Sequence, residues 1–506
     1  MLPISALLNL LGQLINRLIG LLDHRRYHHT LQRGAVEEER VREARATWWG
    51  NEPIWYPGGT PPRQHNRLTP LVHGEAFFAA LREALAQARD YVYVVGWCLT
   101  PGIPLGRADD QDVIATRLHD LLGEVARRAP VRVLLWSGAP ILVQPTRRTM
   151  LAAQRLLLER AGGDLECRLD ETARLGHSHH QKAIVIDGQV AFVGGMDLTT
   201  FHGDRWDRTA HPLRVGPNWH DVQVRLEGEA VADVEHNFRQ RWLDSGGDDN
   251  LPHRLPSFQP DWQTPMQVVR TIPARVYRSV PRGEFGIHHA YTELLTRARR
   301  LIYLENQYLW SPDIMDVLLR VIATPRTEPL RIVLVLPAHA TDGKWDNDYH
   351  VAQLRAADQG RGIVSVHCLY TSGIDVGMNP FMYRPTYVHA KVGIVDDEWL
   401  TIGSANLNGR GMVTDSEINV LVHDPTLARN LRVELWAEHL RLPADQVAQA
   451  DPIALVDREW TQRSAENAAI IERGDRLLVC GIVPYQSGHM AGSEFLEGIE
   501  LLTFDR

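Results

Sequence analysis

The sequence predicts an α/β protein built from two similar halves, and three observations carry that reading. A pattern of residues returns with a constant offset of 209: His180, Lys182, Asp187, Gly194, Gly195 and Asp197 are answered by His389, Lys391, Asp396, Gly403, Ser404 and Asn406. Helical stretches such as "EAFFAALREALAQARD" run straight into short β-rich segments, the alternation expected when helices cover a sheet. A Gly-, Pro- and Asp-rich break, "DSGGDDNLPHRLPSFQPDWQTP" at 244–265, separates the copies. Looser echoes precede each motif: "ARDYVYVVGW" (88–97) parallels "ARRLIYLENQ" (298–307), and "VRVLLW" (131–136) parallels "LRIVLVL" (330–336).

In chain order, residues 1–69 read as an N-terminal extension, 70–250 as the first half, 251–445 as the second and 446–506 as a C-terminal cap. The extension opens with "MLPISALLNLLGQLINRLIGLLDHRR", whose leucines and isoleucines recur at helical spacing with polar residues opposite, an amphipathic helix. Three placements fit it: packed on the body of the protein, lying at a lipid interface, or pairing with another copy. No positive charge precedes the apolar stretch and no small-residue cleavage site follows it, so a signal peptide is not expected. Nor is a spanning helix, because no run of apolar residues is long enough. The expected location is cytoplasmic, with a peripheral membrane contact.

Composition bounds the partners. The chain has 506 residues, 44% apolar and 23% charged, enough for a large buried core. Its net charge of -8 argues against a nucleic-acid surface, which usually carries a basic excess, whereas a small or lipidic phosphate is easier to accommodate. The four cysteines (Cys98, Cys167, Cys368, Cys480) are scattered, with no zinc-site or disulfide pattern.

Lysine usage marks the chemistry. Of 54 Lys and Arg residues only Lys182, Lys344 and Lys391 are lysine, and two of these occupy the repeated context His-x-Lys-x-x-x-x-Asp. A compact ammonium touches a single oxygen in a tight site where a planar, forked guanidinium cannot. "KAIVIDGQVAFVGG" and "KVGIVDDEWLTIGS" each read as a strand, a turn and a second strand. His180 and Lys182 therefore share one strand face, as do His389 and Lys391, while Asp187 and Asp396 fall at the turns and read as structural.

These residues resemble the phospholipase D superfamily, whose signature is two such motifs, each followed by a Gly-Ser/Gly-x-Asn/Asp segment. "AFVGGMDL" with "GDRWD", "LIYLENQYL", "YVHAKVGIVDD" and "IGSANLNGRG" leading to "DSEINV" are similar to its phospholipase branch in particular, over roughly residues 70–445. The resemblance implies two α/β/α sandwich halves related by a pseudo-twofold axis, with a shared active site at their interface and no metal or cofactor for the core chemistry. It assigns His180 as nucleophile and His389 as acid, with Lys182, Lys391 and the Asn406 amide on the phosphate oxygens and Ser404 and Gly195 beside them. It points to Asp221 as the carboxylate orienting His180 and Glu417 as the one orienting His389. Asp197 reads equally as a phosphate-shell residue or a helix N-cap. His177 and His179 flank the site; Trp206, Asp207, Glu305, Asn306 and Gln307 shape it or face it. Two departures stand out: "GWCLTP" lacks a tryptophan and a glutamate of the family segment, and Arg410-Gly411 replaces an Arg-Ser pair, leaving the serine's hydrogen bonds unaccounted for.

The expected activity is hydrolysis of glycerophospholipids to phosphatidic acid and a head-group alcohol through a phosphohistidine, with transfer to another alcohol. A phosphatidyltransferase such as a cardiolipin synthase is the alternative within the same chemistry. An inactive membrane-binding scaffold is the alternative outside it, although such a protein is expected to have lost a His or Lys from one motif.

Overall fold

The computed structural model describes residues 54–106, 116–140, 144–214, 216–340, 344–374 and 381–487. The amphipathic segment before residue 54 and the tail after 487 lie outside the described residues. The first half contributes β1 (Asn66–Val72), β2 (Val92–Gly96), β3 (Val131–Trp136), β4 (Leu165–Asp170), β5 (Ala183–Ile186), β6 (Val190–Gly194), β7 (Asn218–His220) and β8 (Val222–Gly228). The second contributes β9 (Met266–Ile272), β10 (Glu284–Phe285), β11 (Leu301–Asn306), β12 (Leu309–Trp310), β13 (Arg331–Val335), β14 (Val364–Ile374), β15 (Phe381–Val388), β16 (Lys391–Val395), β17 (Trp399–Gly403), β18 (Leu407–Asn408), β19 (Glu417–His423) and β20 (Ile482–Pro484).

The duplication is explicit in the sheets. The first has the order β1-β8-β6-β5-β2-β3-β4, and the second repeats it as β9-β19-β17-β16-β11-β13-β14 before extending through β15. Each sheet is buried on both faces, so its central strands are apolar throughout rather than alternating. The period of two still sorts them. Ala183 and Val185 of β5 face the core between the sheets, while Ile184 and Ile186 face the outer helices. Val392 and Ile394 of β16 face the same central core, and Val395 faces outward.

Helices complete the layers. His73–Gln87, Leu118–Ala126 and Arg147–Ala161 cover the outside of the first sheet. Gly286–Arg297, Pro312–Ala323 and Lys344–Asp358 cover the second. Between the sheets lie Val231–Asp244 and Pro425–Leu440, whose Trp242 and Trp436 are fully buried in the core shared by both halves. Burying a large apolar side chain contributes about 3 kcal/mol, so this common core ties the halves firmly together.

The expected boundaries shift in three places. The first sheet begins at Asn66, and Ile54 and Tyr56 before it pack in the outer core of the second half. β7 leaves the first sheet and pairs in parallel with β15 of the second. β20 pairs antiparallel with β14, so residues beyond 445 add a strand to the second sheet instead of only capping it. Both additions occupy backbone hydrogen-bonding groups that an open sheet edge would leave unpaired.

Candidate active site

Each His-x-Lys segment is held by the opposite half. Residues 178–180, just before β5, lie alongside 415–417: Ser178 N donates to Asp415 Oδ1 at 2.9 Å, His179 Nδ1 meets Ser416 Oγ at 2.8 Å, and His180 Nδ1 lies 2.9 Å from Glu417 Oε1. On the other side of the seam, β7 runs beside the end of β15, His389 N donates to His220 O at 2.8 Å, and His389 Nδ1 lies 2.7 Å from Asp221 Oδ2. This corrects the expected partners. Glu417 orients His180, and Asp221 orients His389. The reason is backbone pairing: each histidine follows a residue bridged to the other half, which places the next carboxylate of that half at its Nδ1.

With Nδ1–H donated to a carboxylate, Nε2 is the nitrogen left for chemistry. The two imidazoles are mostly buried, with side-chain exposures of 15% for His180 and 11% for His389. Burial pushes both well below the usual histidine range, and the Lys182 and Lys391 ammoniums push each in the same direction. Gly195, two residues before the Asp197 that pairs with Lys182, packs directly on the Asp221 that holds His389, so the two pairs meet at one site. Burial also raises Glu417 well above its ordinary value and raises Asp221, opposed by Lys182 and Lys391 respectively. Lys391 is brought down to about 7 by burial, against the attraction of Asp221.

The lysines are fixed by few acceptors. Lys182 Nζ donates to His180 O at 2.7 Å and pairs with Asp197 Oδ2 at 3.1 Å. Lys391 Nζ donates to His389 O and, at 3.3 Å, to Gln307 Oε1. Asp197 also accepts from Trp97 N at 2.8 Å; no helix begins after it, so it is not an N-cap but a clamp between Lys182 and the end of β2. Asn406 is buried, and its Oδ1 has no hydrogen-bond partner among the described residues.

Ser404 and Gly195 do not reach outward as substrate ligands. Ser404 Oγ donates to Glu417 Oε2 at 2.5 Å and accepts from Ile418 N at 3.0 Å, which fixes the carboxylate behind His180. At the matching position, a Cβ on Gly195 would lie 2.2 Å from Asp221 Oδ1. One half therefore supports its carboxylate with a hydroxyl, the other by leaving room for it. Asp187 and Asp396 sit at left-handed turn positions, with φ of 54° and 56°. Asp187 accepts from the backbone N–H groups of Arg89, Asp90 and Tyr91, and Asp396 from those of Arg299, Arg300 and Leu301. Each ties its hairpin to the start of the neighbouring strand, away from the histidines.

Of the flanking residues, Gln307 reaches the site through Lys391, while its Nε2 donates to Tyr387 OH at 2.7 Å. Asn306 Oδ1 accepts from Leu407 N, and Asp207 Oδ2 accepts from Trp219 N at 2.7 Å, so both position backbone. His179 is buried against Asp170, Ser416 and Tyr277. Gly411 resolves the second sequence departure. A Cβ there would lie 2.3 Å from Asn406 O, so this backbone excludes a serine, and Arg410 Nε instead donates to Asp415 Oδ2 at 2.9 Å.

Sequence reasoning missed Arg205 and the aromatic walls. Arg205 is buried, stacks 3.7 Å from the Trp219 ring centroid, and adds positive charge at His389; burial lowers it to about 10. It stands inside "GDRWD", the segment that drew notice for Trp206 and Asp207. Trp97 lies against His180 and Trp219 against His389, at centroid separations of 6.1 and 5.0 Å.

A duplicated α/β fold that brings one His-Lys pair from each half to a common seam defines a class of fused-repeat proteins with one composite site. Comparison with known proteins narrows the class. A family model described as "Cardiolipin synthase, PLD-like domain" matches residues 291–438. The chain is 26% identical over 487 residues to phospholipase D A of Dictyostelium discoideum, covering 76% of this chain and 37% of that one. It is 25% identical over 519 residues to phospholipase D alpha 4 of Arabidopsis thaliana, covering 78% and 68%. With the major cardiolipin synthase of Bacillus subtilis the figures are 24% over 382 residues, covering 73% and 68%. The fold is similar to that of a phosphatidylserine synthase from Haemophilus influenzae, with a TM-score of 0.51, 12% identity, and 87% and 98% of the two chains covered. The family model and the relatives together support membership of the phospholipase D superfamily, whose members are phosphodiesterases or phosphatidyltransferases. Among the described residues, no helix is long and apolar enough to cross a membrane.

Proposed function

We propose that this protein is a phospholipase D-type phosphodiesterase that hydrolyses glycerophospholipids to phosphatidic acid and a head-group alcohol at a peripheral membrane surface. The observation that carries the reading is the reciprocal pairing across the seam, His180 with Glu417 and His389 with Asp221, beside Lys182 and Lys391. Neutral His180 attacks phosphorus through Nε2, forming a P–N bond. The P–O bond to the head group breaks as His389, protonated at Nε2, gives its proton to the leaving alkoxide. His389 then takes a proton from water, the resulting hydroxide displaces His180, and phosphatidic acid leaves. An alcohol in place of water gives transphosphatidylation.

The non-bridging oxygens gain negative charge at each pentacoordinate state. Lys182, Lys391 and the Asn406 amide supply fixed donors there, and Arg205 adds positive charge behind His389. Phosphate between the imidazoles also restores the proton affinity of His389 that burial and the lysines remove. Retention of both His-Lys pairs disfavours an inactive scaffold.

A transferase reading is favoured by the family description over residues 291–438 and by the Bacillus relative. Labelled phosphatidylcholine, phosphatidylethanolamine, phosphatidylglycerol and single-stranded DNA separate the readings. Phosphatidic acid release is the expected outcome, cardiolipin formed from phosphatidylglycerol supports transfer, and DNA cleavage alone defeats both.

A further inference from the structure

Behind the seam lies a second cluster of histidines with no part in the scheme above. His73 begins the first outer helix, His211 lies in the loop before β7, and His220 ends β7. All three are buried, with side-chain exposures of 1%, 7% and 0%. One ring nitrogen from each lies within 4.8 Å of the others. His73 Nδ1, His211 Nε2 and His220 Nδ1 have no hydrogen-bond partner among the described residues. Three buried, unpartnered imidazole nitrogens in one cluster are costly unless something satisfies them.

The opposite nitrogen of each ring is held by a different carboxylate. His73 Nε2 lies 2.9 Å from Glu438 Oε1, His211 Nδ1 3.0 Å from Asp207 Oδ2, and His220 Nε2 2.7 Å from Glu305 Oε2. Carboxylates placed there fix tautomer and orientation and raise the basicity of the far nitrogen, the arrangement that supports histidines as metal ligands. Spacing agrees. The ring centroids are 4.7, 5.1 and 5.7 Å apart. Three imidazoles bound tetrahedrally to one zinc, with Zn–N near 2.0–2.1 Å, put their centroids roughly 5 Å apart. Glu438 Oε1 also stands 3.5 Å from His211 Nε2, placing negative charge beside the trio. A small cavity lined by His211, Glu438, His439 and Arg441 borders the cluster.

We propose that His73, His211 and His220 form a structural site for one divalent transition-metal ion of the zinc type, which takes three neutral imidazoles and needs no redox partner. The ion joins the first half to the helix Pro425–Leu440 through Glu438. It also braces the reaction centre without touching it, because His73 N donates to Asp221 O at 2.9 Å and His220 O accepts from His389 N at 2.8 Å. It is a positioning site, separate from the phosphate-binding groups.

Untagged full-length protein, stripped with a strong chelator and desalted, is titrated with Zn2+ and, separately, with Co2+. Elemental analysis is expected to find about one tight equivalent of zinc, and the cobalt form to show a visible ligand-field band of nitrogen-rich tetrahedral character. Stripping is expected to lower the melting temperature, and zinc to restore it. His73→Gln and His211→Gln should each weaken zinc binding by about tenfold or more, while His389→Ala retains it. Three results overturn the proposal: folded wild-type protein that takes up no stoichiometric zinc, zinc lost in His389→Ala, or zinc kept undiminished in both glutamine variants. If a glutamine variant does not fold, the wild-type cobalt spectrum decides, and a spectrum without the tetrahedral band counts against the site.

Discussion

Asp221 Oδ2 lies 2.7 Å from His389 Nδ1, although the two residues belong to opposite halves of the duplicated chain. The mirror relationship joins Glu417 to His180. Neither half therefore holds a complete proton-handling pair alone. Replacing each carboxylate should expose a different step. Glu417→Gln is expected to slow formation of the phosphoenzyme at His180, and Asp221→Asn to slow protonation of the leaving group and hydrolysis of the adduct. Each should cost at least about a hundredfold in kcat, as when a carboxylate orienting a catalytic histidine is removed. Rapid-quench measurement separates the steps. Slower adduct formation in Glu417→Gln with unchanged breakdown supports the crossed pairing; the reverse assignment of steps would refute it.

Gly195 offers a sharper probe, because it changes no functional group. Its missing side chain leaves the space used by Asp221, whose Oδ1 would meet an added Cβ at 2.2 Å and which itself accepts from Val222 N at 2.9 Å. Gly195→Ala is expected to push the carboxylate off His389 and to lower kcat by about a hundredfold or more while the fold persists, since misplacement of about 1 Å is enough. Circular dichroism and steady-state assays check this together. Unchanged kcat in a folded variant would count against the role of that space.

Asp187 and Asp396 should behave oppositely. Each carboxylate accepts three backbone N–H bonds at the start of a central strand and none from the catalytic residues. Asp396→Ala leaves the part-buried Leu301 N without its acceptor and returns the exposed Arg299 and Arg300 N–H groups to water, at a cost of about 1 kcal/mol. Denaturant midpoints should fall, while kcat per folded molecule stays close to wild type. A collapse of kcat with normal stability would instead place Asp396 in the reaction.

The difference between these cases shows what sequence can disclose. The duplication and the hairpins around Asp187 and Asp396 follow from local patterns, which a strand and its turn keep wherever they pack. The crossing of Asp221 and Glu417 does not. It arises from pairing between segments 168 and 237 residues apart, and such pairing leaves no local signature. Arg205 was hidden for a related reason. A buried guanidinium is made tolerable by Trp219 and by the Gly203 carbonyl, partners that only the folded loop supplies. Asp197 could be an N-cap only if a helix followed, and the chain instead turns to place it between Trp97 N and Lys182.

Lys391 sets the expected pH response. Burial lowers its ammonium to about 7, so in the free enzyme the charge that should bind phosphate is lost as pH rises through that value. The profile of kcat/KM, which reports the free enzyme, should therefore show a further fall near pH 7 on its basic side, beyond the decline that the depressed acid His389 already sets below the ordinary histidine range. A bound phosphodiester favours the charged amine, so the corresponding limb of kcat should lie at higher pH. The acid side has the opposite sign: burial and the two ammoniums depress His180, which keeps the nucleophile neutral and activity alive below the ordinary histidine range. Lys391→Arg should remove activity at every pH, because Nζ fits between His389 O and Gln307 Oε1 where a fork does not. Parallel kcat and kcat/KM profiles of the two proteins test this, and an active arginine variant or coincident basic limbs would show that a lysine ammonium is not what holds the phosphate.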